Sequence, residues 1–435
     1  MTERRLRRLA SASIIAMLTA SMFRFKAVGI DPPIPMPALL TEILDEGRSQ
    51  GRYSSGILPF RIAALLPMGF GLLLIRPRGL VGLLKARPLR SIMFVLVWAL
   101  LVVPTALRPG LSLFGTLTLC GSLLFVVWYT REFGIEALLR TLVGFVAGLS
   151  LMSLVWFAVT GDGFDYRRFT GVSLAPSHFG EATGLAFVAL VAFRGRLFST
   201  PTEWALVATI GVTVILTGTR SAAGGVLVAL AFLALGRRRL LPYFFAASLA
   251  VTPFVMFSGL VNPALEIISR SESDGVSLSD RTVLWETVVD DADQLIWTGA
   301  GYGNGAGGQS DYLLQKSRDG VFERALVYGH NYLVGSFLSL GLVGLLLVLV
   351  IPIAYSRAAL SLSDPRADAI VVYLFATGIA ENVLLESPIR VSSMTLVALF
   401  TYRATQLQER SGPQMGNEVV RSQGVGGESS ELANP

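Results

Sequence analysis

Histidine and cysteine are nearly missing from this sequence, which holds two of the first and one of the second. A single cysteine, Cys120, excludes an internal disulfide, and its apolar surroundings suit a small buried residue. No group of residues has the spacing of a metal site. The acidic group Asp290, Asp291 and Asp293 lacks the spacing and the glycine of a calcium loop, and reads as a solvated helix face. Charge is scarce as well. Only 15% of residues are charged, against roughly 25% in a soluble globular domain. What stands in place of charge is apolar: 52% of the chain is hydrophobic and the mean hydropathy is +0.60. The apolar residues come in blocks of roughly 17 or more, the length that crosses a bilayer as a helix. The sequence therefore predicts an all-α polytopic membrane protein. Its net charge of +6 does not point to nucleic acid, because the basic residues lie mainly between apolar blocks, where they orient spans.

Hydropathy predicts about 12 transmembrane helices. They run at about 9–23, 57–75, 92–107, 111–129, 142–160, 179–193, 204–217, 222–236, 241–257, 331–354, 369–385 and 391–407. The basic start with Arg4, Arg5, Arg7 and Arg8 has the look of a signal peptide. A retained first span is expected instead, with both termini in the cytoplasm. Under that alternation more than half of the 36 Lys and Arg fall in inner segments. Most of the rest lie in two long outer segments, where the positive-inside rule is weak. The expected division is a nine-span bundle over 1–257, a large outer loop over 258–329, three more spans over 330–407, and a disordered tail over 408–435. Small-xxx-small spacings, Gly144/Gly148 and Gly180/Gly184, predict close helix packing.

Residues able to do chemistry gather on the expected outer side. Arg167 and Arg168 precede His178, which opens the sixth span. Arg220 opens the eighth. Arg281 and Trp285 lie one helical turn apart in the large loop. His330 and Asn331 open the tenth. One arginine near an interface commonly snorkels. Several around one mouth suit an anion, because guanidinium forks bind phosphate oxygens bidentately and stay charged. His330 is able to serve as a base, since a free imidazole titrates near ~6.5, or to cap its helix beside Asn331. For His178 capping and function are equally open. The run Gly299-Ala-Gly-Tyr-Gly-Asn-Gly-Ala-Gly-Gly308 is no dinucleotide fingerprint, for no strand precedes it. It reads as a flexible outer loop, with close approach to a phosphate as the alternative. Glu181 and Glu381 lie within expected spans, where carboxylates suggest an ion path, a polar cavity or an arginine partner.

Several of these stretches, in this order, resemble the O-antigen ligase/polymerase superfamily. They are Thr217-Gly-Thr-Arg-Ser221, then Arg281-Thr-Val-Leu-Trp285, then the glycine run, then His330-Asn-Tyr-Leu333 ahead of a Gly-Leu-Val-Gly span. The segment from Arg167 to Gly180 also resembles a family element, though Ala175-Pro176-Ser177 departs from its acidic form. The resemblance implies a GT-C type bundle in the bacterial inner membrane, with a large helical periplasmic loop and a site facing the periplasm. It implies transfer of a glycan from undecaprenyl diphosphate to a sugar hydroxyl on a glycan or lipid-linked acceptor, with no nucleotide sugar, metal or other cofactor. Arg220 and Arg281 would bind the diphosphate and steady the leaving group, and His330 would orient or deprotonate the acceptor. Arg167, Arg168, His178, Trp285 and Asn331 would line the substrates. Membrane lipids and a chain-length regulator are the further partners implied. A repeat-unit polymerase is slightly preferred, on the Pro176-Ser-His-Phe-Gly180 element. A ligase attaching finished polymer to lipid A–core, favoured by the single large loop, is the first alternative. A secondary transporter is the reading from another class.

Overall fold

The computed structural model describes residues 3–22, 82–165, 168–173, 176–236, 239, 241–242, 295–302, 331–362, 364–379, 381 and 390–411. The expected span at 57–75 and nearly all of that at 241–257 lie outside them. Each of the other expected spans overlaps one of the described helices, that at 369–385 only as far as Gly378. These are α1 (Glu3–Met22), α2 (Arg87–Leu101), α3 (Pro109–Phe133), α4 (Ile135–Thr160), α5 (Pro176–Ala192), α6 (Thr200–Thr217), α7 (Arg220–Leu235), α8 (Tyr332–Ser361), α9 (Pro365–Gly378) and α10 (Val391–Ser411). Four of the described helices carry a stretch long and apolar enough to cross a membrane by length and composition: α3, α4, α6 and α8. α2, α5 and α7 are apolar but shorter. An all-α membrane protein is thus what the chain builds.

The boundaries have local causes. α4 starts ahead of the apolar block, at Ile135, because its polar first turns find partners. The Arg140 guanidinium donates to the carbonyl of Leu197, and to that of Arg196 at 3.0 Å. Proline near the first position of α2, α3, α6 and α9 starts each helix where no backbone donor is needed.

α5, α7 and α9 form the packed centre, with α6 and α4 against α5. Two glycines let this centre close. A methyl group on Gly184 would run into the Tyr373 hydroxyl, and one on Gly225 into Thr377 and the Tyr373 ring. The Tyr373 hydroxyl donates to the backbone carbonyl of Glu181 at 2.7 Å. Gly180 likewise faces Thr219, so the Gly180/Gly184 pair packs helices as expected. Gly144 and Gly148 show no such contact among the described residues. Among the described residues nothing lies within 4 Å of a methyl placed on either. They line an apolar groove of about 600 Å³ between α1 and α4.

α2, α3 and α10 form a second group, with α8 against α2. α8 is broken at Gly341, whose φ of 68° and ψ of −167° are non-helical. The break frees backbone groups about 14 Å along the helix at 1.5 Å per residue. Apolar surroundings demand that each be satisfied. Residues 295–302 and α2 do so. Ala300 N–H donates to Leu338 O (2.7 Å), Gly301 N–H to Ser339 O (3.1 Å), and Leu342 N–H to Ile296 O (2.7 Å). The indole of Trp98 donates to Leu340 O at 2.8 Å. A side chain on Gly299 would strike the backbone of Ser339–Gly341, and one on Gly301 would strike Ala106. The start of the glycine run is therefore neither a loose loop nor a phosphate cradle. Its glycines permit a backbone-to-backbone splice onto a broken helix.

Candidate active site

α6 ends at Gly218, in the left-handed conformation (φ 58°, ψ 21°), which turns the chain within two residues into α7. Thr219 precedes α7 and is buried, while Arg220 is exposed in its first turn. A cation at a helix N-terminus opposes the helix dipole, by roughly 0.3–1 kcal/mol at the surface. Arg220 therefore gains nothing from its own helix, and a bound anion would suit both.

Arg168 comes to the same junction from a two-residue hairpin. Strand β1 (Phe164–Asp165) pairs antiparallel with β2 (Arg168–Phe169), Asp165 opposite Arg168. Phe169 anchors the hairpin among Phe157, Phe164 and Phe179, with ring centroids 5.4–6.2 Å away. Arg168 Nη2 donates to Thr219 Oγ1 at 3.2 Å, and its Nε nears Thr217 O at 3.5 Å. Thr219 thus meets Arg168, precedes Arg220 and packs on Gly180 of α5.

His178, in the first turn of α5, lies two residues from Gly180. Its Nε2 stands 2.6 Å from Nη2 of Arg390, the residue before α10. The other terminal nitrogen of Arg390 is 3.8 Å from Glu181 Oε2. Glu181 is 4% exposed, with Ser392 beside it and Glu381 within electrostatic range. Glu181 thus has the arginine partner that was one of the three roles open to it.

Asn331 caps α8. Its Oδ1 accepts from the N–H of Leu333 (2.8 Å) and of Val334 (3.3 Å). Its amide donates to Ile379 O at 2.7 Å. The side chain, 1% exposed, is spent on tying the start of α8 to the end of α9.

Four of the expected site residues, Arg168, His178, Arg220 and Asn331, thus lie at one end of the bundle, where α5, α7, α8 and α10 begin and α6 and α9 end. Arg167, Arg281, Trp285 and His330 lie outside the described residues. Sequence reasoning missed Arg390. Its only signal was position, as an arginine closing the short connection before the last span, on the side where His178 and Arg220 stand.

Comparison with known proteins bears on this end of the bundle. No curated protein matches the chain. Residues 205–349 match the family model described as O-antigen ligase. The match covers about a third of the chain and includes the α6–α7 reversal with Arg220, the splice at 295–302 and the broken start of α8. That segment is similar to the O-antigen ligase family, in line with the resemblance of its motifs to the O-antigen ligase/polymerase superfamily.

Proposed function

We propose that this protein is a bacterial inner-membrane glycosyltransferase that moves a glycan from undecaprenyl diphosphate to a sugar hydroxyl, and that it does so as a repeat-unit polymerase. The observation that carries this reading is the α6–α7 junction inside the matched segment. There Arg220 opens a helix that does not need it, and Arg168 is bound one residue away. Two guanidiniums beside a helix N-terminus suit a diphosphate.

In the reaction the acceptor oxygen attacks the anomeric carbon of the donor. A new glycosidic bond forms while the bond from that carbon to the diphosphate oxygen breaks. The leaving diphosphate keeps the electron pair, and Arg220 and Arg281 stabilise its growing charge, where fixed cations contribute most. The acceptor proton passes to His330, the residue before the N-cap Asn331. Capping by Asn331 fixes the start of α8. Arg167 and Trp285 complete the substrate contacts, Trp285 by stacking on a sugar. Both termini lie in the cytoplasm and the site faces the periplasm in this reading. A chain-length regulator is the protein partner it implies.

The ligase reading is second, favoured by the description of the matching family model. A gel of lipid-linked glycans from a deletion strain separates them. Loss of a polymerase leaves single repeat units on the carrier. Loss of a ligase leaves long chains not yet attached. Normal profiles of both kinds would overturn glycan transfer altogether and favour a transporter.

A further inference from the structure

The groove between α1 and α4 lies apart from the candidate site. α4 ends ahead of the hairpin that carries Arg168, whereas the groove starts near the beginning of that helix, at Arg140. Thr141 donates to the Ser11 hydroxyl at 3.2 Å, which sets the register of α1 on α4. Thr19 lines the groove too. In antiparallel helices it would stand about 12 Å before Thr141 along the axis, past the start of α4 at Ile135. The two helices therefore run the same way. The groove is open at its floor and at both walls. Gly144 and Gly148 are exposed, and Ile15 and Met152 are each 42% exposed.

Length decides what fits it. The wall on α1, from Ser11 to Thr19, is about 12 Å long, and that on α4, from Thr141 to Met152, about 16 Å. One leaflet is about 15 Å deep, half of a ~30 Å hydrocarbon core. A neighbouring spanning helix would meet the bundle over the full core. An acyl chain entering from one leaflet matches the groove as it stands.

The end where that chain would enter is basic. The Arg140 guanidinium gives two of its five donors to the carbonyls of Leu197 and Arg196, and no carboxylate among the described residues pairs with it. Glu136, one turn earlier on α4, is engaged by Arg196 at 3.2 Å. On α1, Arg4, Arg7 and Arg8 precede Ser11 at helical spacings of seven, four and three residues, so they continue the face that Ser11 and Ile15 present to the groove. Arg4 and Arg8 are exposed. They stand about 5–10 Å beyond Ser11 along the axis, at the height of the headgroup of a lipid whose chain lies in the groove. One arginine at an interface commonly snorkels. A group of them around the mouth of an apolar groove complements a phosphate, and basic pockets between spans take anionic lipid headgroups.

We propose that the α1–α4 groove holds one anionic phospholipid, with an acyl chain on Gly144 and Gly148 and the headgroup phosphate among Arg140, Arg4 and Arg8, and that this lipid fastens α1 to the bundle. The site opens to the leaflet away from the candidate site, and it does not depend on the glycan-transfer reading.

Native mass spectrometry of the full chain in detergent, with dioleoylphosphatidylglycerol or dioleoylphosphatidylcholine added, counts the lipid retained. The unmodified chain should keep one phosphatidylglycerol, about tenfold in preference to phosphatidylcholine. Gly144→Leu with Gly148→Leu fills the groove and should remove the bound lipid. Arg4→Gln with Arg8→Gln should remove most of the preference between the headgroups. Without lipid both double variants should unfold at the parent temperature. Added phosphatidylglycerol should raise the unfolding midpoint of the unmodified chain and leave that of the glycine variant where it was, and inorganic phosphate at the same concentration should raise neither. Phosphatidylglycerol kept by the glycine variant, equal retention of the two lipids by the unmodified chain, or the same rise with inorganic phosphate overturns the proposal. An unmodified chain that is dimeric, and that the glycine substitutions make monomeric, overturns it in favour of a second copy in the groove. A glycine variant that is already destabilised without lipid overturns it as well, because the groove is then filled by the protein itself.

Discussion

Arg390 stands just before α10 and Arg403 in its second half, and each meets a buried carboxylate, yet the two pairs are built differently. Arg403 and Asp368 are both fully buried and in direct contact at 2.5 Å. Tyr355 donates to the same carboxylate oxygen at 3.1 Å, Arg403 Nη2 reaches Asp364 O at 2.8 Å, and Tyr402 donates to Asp364 at 2.9 Å. This knot ties α8, α9 and α10 together at the end opposite the candidate site. The Arg390–Glu181 pair is looser, at 3.8 Å, with the arginine side chain 13% exposed, and the same guanidinium meets His178 at 2.6 Å. A charge pair closed on all sides holds helices. A looser pair whose arginine also meets an imidazole ties the start of α5 to the residue before α10 at the candidate site.

The comparison predicts that variants of the charged residues at the candidate site lose activity and keep the fold, and that variants at the knot do the reverse. His330→Ala should show the largest effect: transfer should fall by roughly 10²–10⁴-fold, the contribution of a general base, with unchanged amounts of membrane-inserted protein. Normal polymer in cells expressing only this variant would erase the distinction. Arg403→Met should cost about 3–5 kcal/mol by stranding Asp368, whereas Arg403→Met with Asp368→Leu should recover most of that, since a buried ion pair replaced by apolar side chains is often neutral. Thermal unfolding in detergent reads both, and equal midpoints for the single and double variants would show that the pair is not what holds this end. Arg220→Lys should remain as inactive as Arg220→Ala, about tenfold or more below the parent, because a point charge does not replace the fork. Both variants should unfold at the parent temperature, and full activity of the lysine variant would remove the bidentate claim. Gly144→Leu should change stability by no more than ~0.5 kcal/mol, whereas Gly180→Leu should disrupt packing against Thr219. A matching loss at Gly144 would mean that the open groove is occupied in the membrane.

Much of this was readable before any coordinates. The helical blocks followed from apolar length, and the Gly218-Thr219-Arg220 reversal from turn chemistry. The grouping of His178, Arg220 and the start of α8 at one end followed from counting spans. The splice at 295–302 was not legible. A glycine run looks alike whether it is loose or pressed against another backbone, and Gly341 sits in a stretch apolar enough to pass for an unbroken helix. Arg390 was hidden for a different reason. Its partners are 212 and 209 residues away in the chain, and no local pattern announces a pairing of that separation.

Sequence by itself determined that this chain is a helical membrane protein, and which residues stand at the helix ends. Both properties are carried by short-range quantities: the length of an apolar run, a left-handed glycine, a proline at a first turn. Only the tertiary structure decided that His178 answers to Arg390, that Glu181 balances it, and that α8 breaks where 295–302 docks. Those outcomes depend on how closely and at what rotation distant helices pack, and one side chain's reach of a few ångströms changes the answer.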